Sequence, residues 1–270
     1  MIGAIVGDIV GSRFERNNIK TKQFELFTAK NIFTDDSVMS LAIAQAILEC
    51  DGNYESLSAA AIKNIQDLGR EYPDCGYGGM FFQWLFTRNP QPYNSYGNGA
   101  AMRVSACGYA ARDLEEVKFL ANAVTAISHN HSEGLKGAES TAICVYLART
   151  GVDKSEIQRY IRKHYYPINF TLNGIRETYR FSETCQNTVP QAIVAFLEAD
   201  SFEDTIRNAI SIGGDSDTLA AIAGSIAEAY YGVPDDLRSS AIGYLEEPLT
   251  SILTNFELAF PPPAKHSSAG

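Results

Sequence analysis

The chain has 270 residues, 45% of them hydrophobic and 20% charged, with a formal net charge of -10 at pH 7. This is the balance of an ordinary globular protein with a sizeable core, and its negative charge argues against general binding to nucleic acid or to an anionic membrane. No apolar run is long enough for a membrane helix, and the five cysteines, scattered without a CxxC pair or zinc spacing, predict reduced thiols and a cytoplasmic protein.

The first segment carries Gly3, Gly7 and Gly11 four residues apart, and an aspartate, Asp8, inside its apolar run. It lacks the basic region of a signal peptide. The glycines present a smooth stripe that another helix can approach closely, at a cost of about 1 kcal/mol each against alanine. Helical periodicity follows over 37–49, 58–70, 79–87, 101–112, 114–128, 135–149, 154–163, 189–198, 202–211 and 218–231. Alternating strand-like runs are not evident. The expectation is therefore an all-α fold, a compact single-domain orthogonal helical bundle over residues 1–260. Loops fall at 72–79, 89–99, 129–134 and 165–182. The last is a long connector bearing Tyr and Arg, and such loops tend to be functional. The stretch from Leu219 to Ala227 is apolar nearly all round, which predicts a helix at the centre of the bundle. Residues 261–270, proline-led and then small and polar, are expected to be extended or disordered.

Two short acidic clusters, Thr34-Asp35-Asp36 and Asp215-Ser216-Asp217-Thr218, lie about 180 residues apart, and each opens one of these apolar helical stretches. A helix N-cap accounts for one acceptor at each start. It does not account for two aspartates at each, since surplus carboxylates beside a buried helix are expensive. If the two halves meet, the carboxylates must be protonated, hydrated or neutralised by cations. An oxygen-only donor set suits Mg²⁺, Mn²⁺ or Ca²⁺ better than zinc.

A third constellation runs from Asn94-Ser95-Tyr96-Gly97-Asn98-Gly99 to Met102-Arg103. A polar, glycine-rich loop entering a helix can offer backbone N–H groups to a phosphate; the alternative is a simple turn and cap with Arg103 salt-bridged. In Ser128-His129-Asn130-His131, the two histidines have no cysteine or further histidine near in sequence to complete a zinc site. They read better as hydrogen-bonding groups for a polar ligand or a loop carbonyl.

Taken together, Gly7-Asp8-Ile9-Val10-Gly11-Ser12, Phe33-Thr34-Asp35-Asp36-Ser37, Gly97-Asn98-Gly99 with Met102-Arg103, and Gly213-Gly214-Asp215-Ser216-Asp217-Thr218 resemble, in this order, the motifs of the ADP-ribosylglycohydrolases. The resemblance covers about residues 1–232. It implies a compact all-α domain with two Mg²⁺ or Mn²⁺ ions in a cleft. Carried over, it implies Thr34, Asp35 and Asp36 as one group of metal ligands and Asp215, Asp217 and Thr218 as the other. It further implies Glu15 or Asp36 as the catalytic carboxylate, and Asn94, Ser95, Tyr96, Gly97, Asn98 and His129 as substrate-binding residues, with Tyr93 a candidate for stacking on adenine. The segment 181–189 lacks the Gly-Tyr pair found there in several relatives, which leaves the acceptor open. The implied activity is metal-dependent hydrolysis of the glycosidic bond between ADP-ribose and an acceptor, an ADP-ribosylated protein or a small ADP-ribose conjugate. The alternatives are a hydrolase of a free derivative such as O-acetyl-ADP-ribose, and a non-catalytic ADP-ribose binder.

Overall fold

The computed structural model describes residues 1–261, so the expected tail falls, from 262 on, outside the described residues. The first half of the chain forms α1 (Ile2–Ser12), α2 (Asp35–Cys50), α3 (Leu57–Glu71), α4 (Gly79–Phe86), α5 (Ser105–Ala110), α6 (Leu114–Thr125) and α7 (Ser132–Arg149). The second half forms α8 (Lys154–His164), α9 (Leu172–Ile175), α10 (Cys185–Leu197), α11 (Phe202–Ser211), α12 (Ser216–Tyr231), α13 (Asp235–Ile242) and α14 (Leu249–Ala259). Among the described residues there is no strand, and one isolated bridge joins Gly97 to Thr184. The fold is all-α.

At its centre α1 lies against α12, and both are buried almost throughout. The glycine stripe makes this contact possible. A Cβ at Gly3 would lie 2.4 Å from the Gly224 carbonyl oxygen, one at Gly7 2.0 Å from that of Ala220, and one at Gly11 2.4 Å from the Asp217 Cα. As the number rises along α1 it falls along α12, so the two helices run antiparallel, and the C-terminal end of α1 meets the N-terminal end of α12. Helix α2 also packs on α1, while α7, α10 and α11 pack on α12. Gly7→Ala would raise helix propensity by about 1 kcal/mol. The new methyl, however, would meet backbone, which cannot rotate away, and overpacking typically costs about 1–3 kcal/mol, with rigid backbone at the upper end. The steric cost wins, so a lowered unfolding midpoint in denaturant is expected for Gly7→Ala; an unchanged midpoint would contradict this packing.

Several elements differ from the sequence reading, among them the short α9 inside the expected loop 165–182. The helix expected over 101–112 is confined to α5. Before it the chain makes a 3-10 turn at Asn98–Ala100, in which the Asn98 carbonyl accepts from both Ala101 N (2.8 Å) and Met102 N (3.1 Å). The bridge to Thr184 pins the chain just ahead of this turn. Past residue 231, where no helix was expected, α13 covers α1 and α14 lays Leu249, Ile252, Leu253 and Phe256 into the core beside α2.

Candidate active site

Close packing of α1 on α12 carries the start of α12 to the start of α2. Thr218, in the first turn of α12, donates its hydroxyl to Asp36 Oδ2 at 3.1 Å across a sequence separation of 182 residues. Carboxylate oxygens of Asp8, Asp36 and Asp217, all buried, lie within 4.8 Å of one another. A cleft of about 730 Å³ opens over them. Thr34, Asp35, Asp36, Asp215, Asp217 and Thr218 line it, as do Glu15, the loop 94–98 and His129. All the candidate residues read from the sequence thus face a single space.

Local chemistry explains each position. Thr34 is the N-cap of α2, and its Oγ1 accepts from Asp36 N at 3.4 Å. The same hydroxyl donates to Asp8 Oδ1 at 2.6 Å. Since the cap needs one acceptor and Thr34 supplies it, Asp35 and Asp36 are spare. At α12 the Asp215 side chain makes no cap at all; its Oδ2 accepts from Asn98 Nδ2 at 2.7 Å. Asp36 Oδ1 is buried with no hydrogen-bond partner.

Asp8 is the residue that sequence reasoning left out of the site. Fully buried, it accepts from Thr34 N (2.9 Å) and Ser37 N (3.1 Å) and from both of their hydroxyls. It thereby clamps the first turn of α2 to α1. The available signal was a lone aspartate inside an otherwise apolar, glycine-striped helix.

Burial is the main cause that lifts Asp35, Asp36 and Asp217 well above their ordinary carboxyl value of 3.8, and the neighbouring carboxylates add to it. Asp8 is raised by burial too, against the opposing hydrogen bonds from Ser37 and Thr34. Glu15, partly exposed and ion-paired to Arg16 at 2.9 Å, is raised by burial despite that guanidinium. Carboxyls that resist ionising, one with an orphaned buried oxygen, form a donor set that fits hard divalent cations.

The loop 94–98 is held rigidly rather than left open. Its N–H groups at Asn94, Gly97 and Asn98 donate to Asn130 Oδ1 (2.8 Å), Ser95 Oγ (3.1 Å) and the Glu183 carbonyl (2.8 Å). Those three amides are therefore spent, which leaves less of the backbone cradle than the sequence suggested. Asn98 is buried, with its amide on Asp215 and on Thr188 Oγ1 (3.2 Å). Tyr96 is exposed, and Tyr93, half-buried, packs its ring against His129. Arg103 corrects the sequence reading. It forms no salt bridge among the described residues; it is fully buried and reaches Ser128 and His129 instead.

A second clamp joins Glu15 to the last motif. Gly213 and Gly214 turn with φ of +66° and +85°, a region that strains other residues. Asn18 Oδ1 accepts from Gly214 N at 2.7 Å, while its Nδ2 donates to the carbonyls of Gly214 (2.8 Å), Phe14 (2.7 Å) and Glu15 (3.0 Å). Asn18→Ala should cost about 2 kcal/mol from these partly solvated bonds and free the Glu15 segment. Thermal unfolding and limited proteolysis at 13–20 check this; protection equal to wild type would count against the clamp.

The ADP-ribosylglycohydrolase family profile matches residues 1–256. The chain is similar to the ADP-ribosylhydrolase ARH3 of Homo sapiens, 26% identical over 91% of this chain and 89% of that protein. It is also similar to the ADP-ribosylarginine hydrolase Tri1 of Pseudomonas putida (strain GB-1), 23% identical over 86% and 70%. A third relative is the ADP-ribosyl-[dinitrogen reductase] glycohydrolase of Rhodospirillum rubrum, 28% identical over 79% and 73%. Among solved structures, an ADP-ribosylglycohydrolase-related protein complex shares the fold, with a TM-score of 0.66 at 22% identity over 90% of this chain and 94% of that one.

Proposed function

The chain belongs to the ADP-ribosylglycohydrolase family, and from that premise we propose that it is a divalent-metal-dependent enzyme that releases ADP-ribose from an ADP-ribosylated protein side chain. Hydrolysis of ADP-ribose linkages is the family's activity; the metal, the acceptor and the residue roles are our reading. One observation carries it: the acidic starts of α2 and α12, 182 residues apart, meet at the Thr218–Asp36 hydrogen bond on the floor of a single cleft.

Thr34, Asp35 and Asp36 from α2 and Asp215, Asp217 and Thr218 from α12 would hold two Mg²⁺ or Mn²⁺ ions. Bound there, such ions supply positive charge toward ribose hydroxyls and lower the pKa of water. The hydrogen bonds of Asp8 and Asn98 orient Thr34 and Asp215 for this task. Glycoside hydrolysis needs a carboxyl that holds a proton for the leaving group or takes one from water. Glu15, raised by burial and facing the cleft, suits that role; Asp36, with one oxygen already accepting from Thr218, is the other candidate. Ser95, Tyr96 and His129 line the cleft where the rest of the nucleotide would lie. The exposed apolar side chains of Ile32, Met80 and Tyr96 also line it, which supports a protein acceptor, since apolar surface of this kind marks interaction sites. No helix among the described residues is long and apolar enough to cross a membrane.

The test is release of free ADP-ribose from arginine- and serine-linked proteins, ADP-ribosylated nucleic acid and O-acetyl-ADP-ribose, with Mg²⁺, Mn²⁺ or chelator. Metal-dependent release from a protein substrate is expected. Release from O-acetyl-ADP-ribose alone would move the acceptor to a small molecule, and release that survives chelation would defeat the metal assignment.

A further inference from the structure

Arg103 is fully buried, yet among the described residues it forms no ion pair, and Asp35 acts on it only at longer range. Its Nη2 donates to Ser128 Oγ at 2.8 Å and lies 3.3 Å from His129 Nδ1; its Nε and Nη1 have no hydrogen-bond partner among the described residues, and the guanidinium sits 5.3 Å from the Phe81 ring centroid. Burial pulls it down to about 10, so it stays charged at neutral pH. A buried, unpaired charge is costly unless something repays it. This one stands beside His129, and both residues line the cleft.

The hydrogen-bond inventory of the three side chains favours one arrangement. Arginine has donors only. A proton on His129 Nδ1 could bond only Ser128 Oγ and would face the guanidinium 3.3 Å away, whereas an unprotonated Nδ1 accepts from both groups. Ser128 Oγ, 2.8 Å from Nδ1, accepts from Arg103 and donates its hydroxyl hydrogen bond to Nδ1. The imidazole proton is then on Nε2. That nitrogen has no partner among the described residues. It lies over Gly97 and Gly99, where an added Cβ would stand only 3.6 or 3.5 Å away. The two glycines thus leave Nε2 open to the cleft.

We propose that Arg103 is a positioning residue: acting through Ser128, it holds His129 neutral with its proton on Nε2, as a donor to a phosphate oxygen of the substrate, whose negative charge balances the buried guanidinium. The ring also resists protonation, because burial and then the adjacent guanidinium hold it well below the usual histidine value of 6.5. The cleft is thereby bipolar, with an acidic floor suited to cations and a wall backed by a fixed cation and suited to an anion. The phosphate half of the inference rests on the reading of the cleft as an ADP-ribose site; the tautomer half does not.

The experiment is ¹⁵N–¹H imidazole NMR of the ligand-free, Mg²⁺-loaded protein, followed by calorimetric binding of ADP-ribose, ADP and adenosine to the wild type and to Arg103→Met and Arg103→Lys. The wild type should show an unprotonated Nδ1 and a protonated Nε2, and a proton on Nδ1 would overturn the proposal whatever the variants do. Arg103→Met, which fills similar volume without charge, should give mixed tautomers and bind ADP-ribose and ADP about tenfold more weakly, as expected for the loss of a charge-supported hydrogen bond. Adenosine binding should be unchanged, and Arg103→Lys should restore part of both effects. A folded Arg103→Met with the wild-type tautomer and affinity would overturn the proposal. An Nε2–H wild type that binds none of the three ligands would support the positioning role of Arg103 and overturn both the phosphate assignment and the ADP-ribose reading.

Discussion

Asp36→Asn is expected to lower release of ADP-ribose by about a thousandfold, the scale on which single charged groups act at pre-organised sites, while making the metal-free protein more stable. Both effects come from one carboxylate. Asp36 is buried, one of its oxygens accepts from Thr218, the other has no partner, and Asp8 and Asp217 stand beside it. Asparagine keeps the shape and can still accept the Thr218 hydroxyl. It removes a charge that the folded state resists, so the variant trades function for stability in the manner of many active-site substitutions. Turnover of an ADP-ribosylated protein at saturating Mg²⁺, measured together with the melting temperature in chelator, checks the pair. Activity within tenfold of wild type would remove Asp36 from the site. A melting temperature below that of the wild type in chelator would overturn the expected repulsion at Asp36.

Divalent metal should stabilise the fold, and more so as pH rises. Asp35, Asp36 and Asp217 are held above 3.8 mainly by burial. Below that value the carboxyls are protonated in the folded and unfolded chains alike, and their full contribution to stability is present. As pH rises, the unfolded chain ionises first, and stability is lost progressively up to the folded-state values. The metal-free protein is therefore expected to melt at a lower temperature at pH 8 than at pH 5.5. A cation at a hundred times its dissociation constant contributes about 2.7 kcal/mol per site, which in a protein of this size moves the melting temperature by roughly 5–10 °C. Calorimetric scans at the two pH values, with chelator and with Mg²⁺ or Mn²⁺, decide this. Equal melting temperatures with and without metal at pH 8 would leave the acidic cluster without its cation.

Much of the site was legible because its signals are local. Two aspartates follow a threonine at one helix start and bracket a serine at the other, more carboxylates than capping can use. Asp8 was visible as an acid in an apolar run, but its part in the site was not, because that depends on Thr34 and Ser37, 26 and 29 residues away. Arg103 was misread because an arginine near the start of a helix ordinarily finds an acid, and only its depth in the fold denies it one. The shortening of the 101–112 helix has a similar origin, in the bridge between Gly97 and Thr184. Asn18 gave no pattern at all; its worth lies in a turn 196 residues further along the chain.

By itself, then, the sequence determined the helical class, the glycine stripe and the chemistry of the two acidic helix starts, since periodicity, missing side chains and cap residues act over a few residues. The tertiary structure alone decided that Gly11 lies on Asp217, that Thr218 reaches Asp36, and that a guanidinium without an ion pair among the described residues stands beside His129. Those outcomes depend on how closely α1 and α12 approach and on what the core leaves unpaired, and no local pattern encodes either.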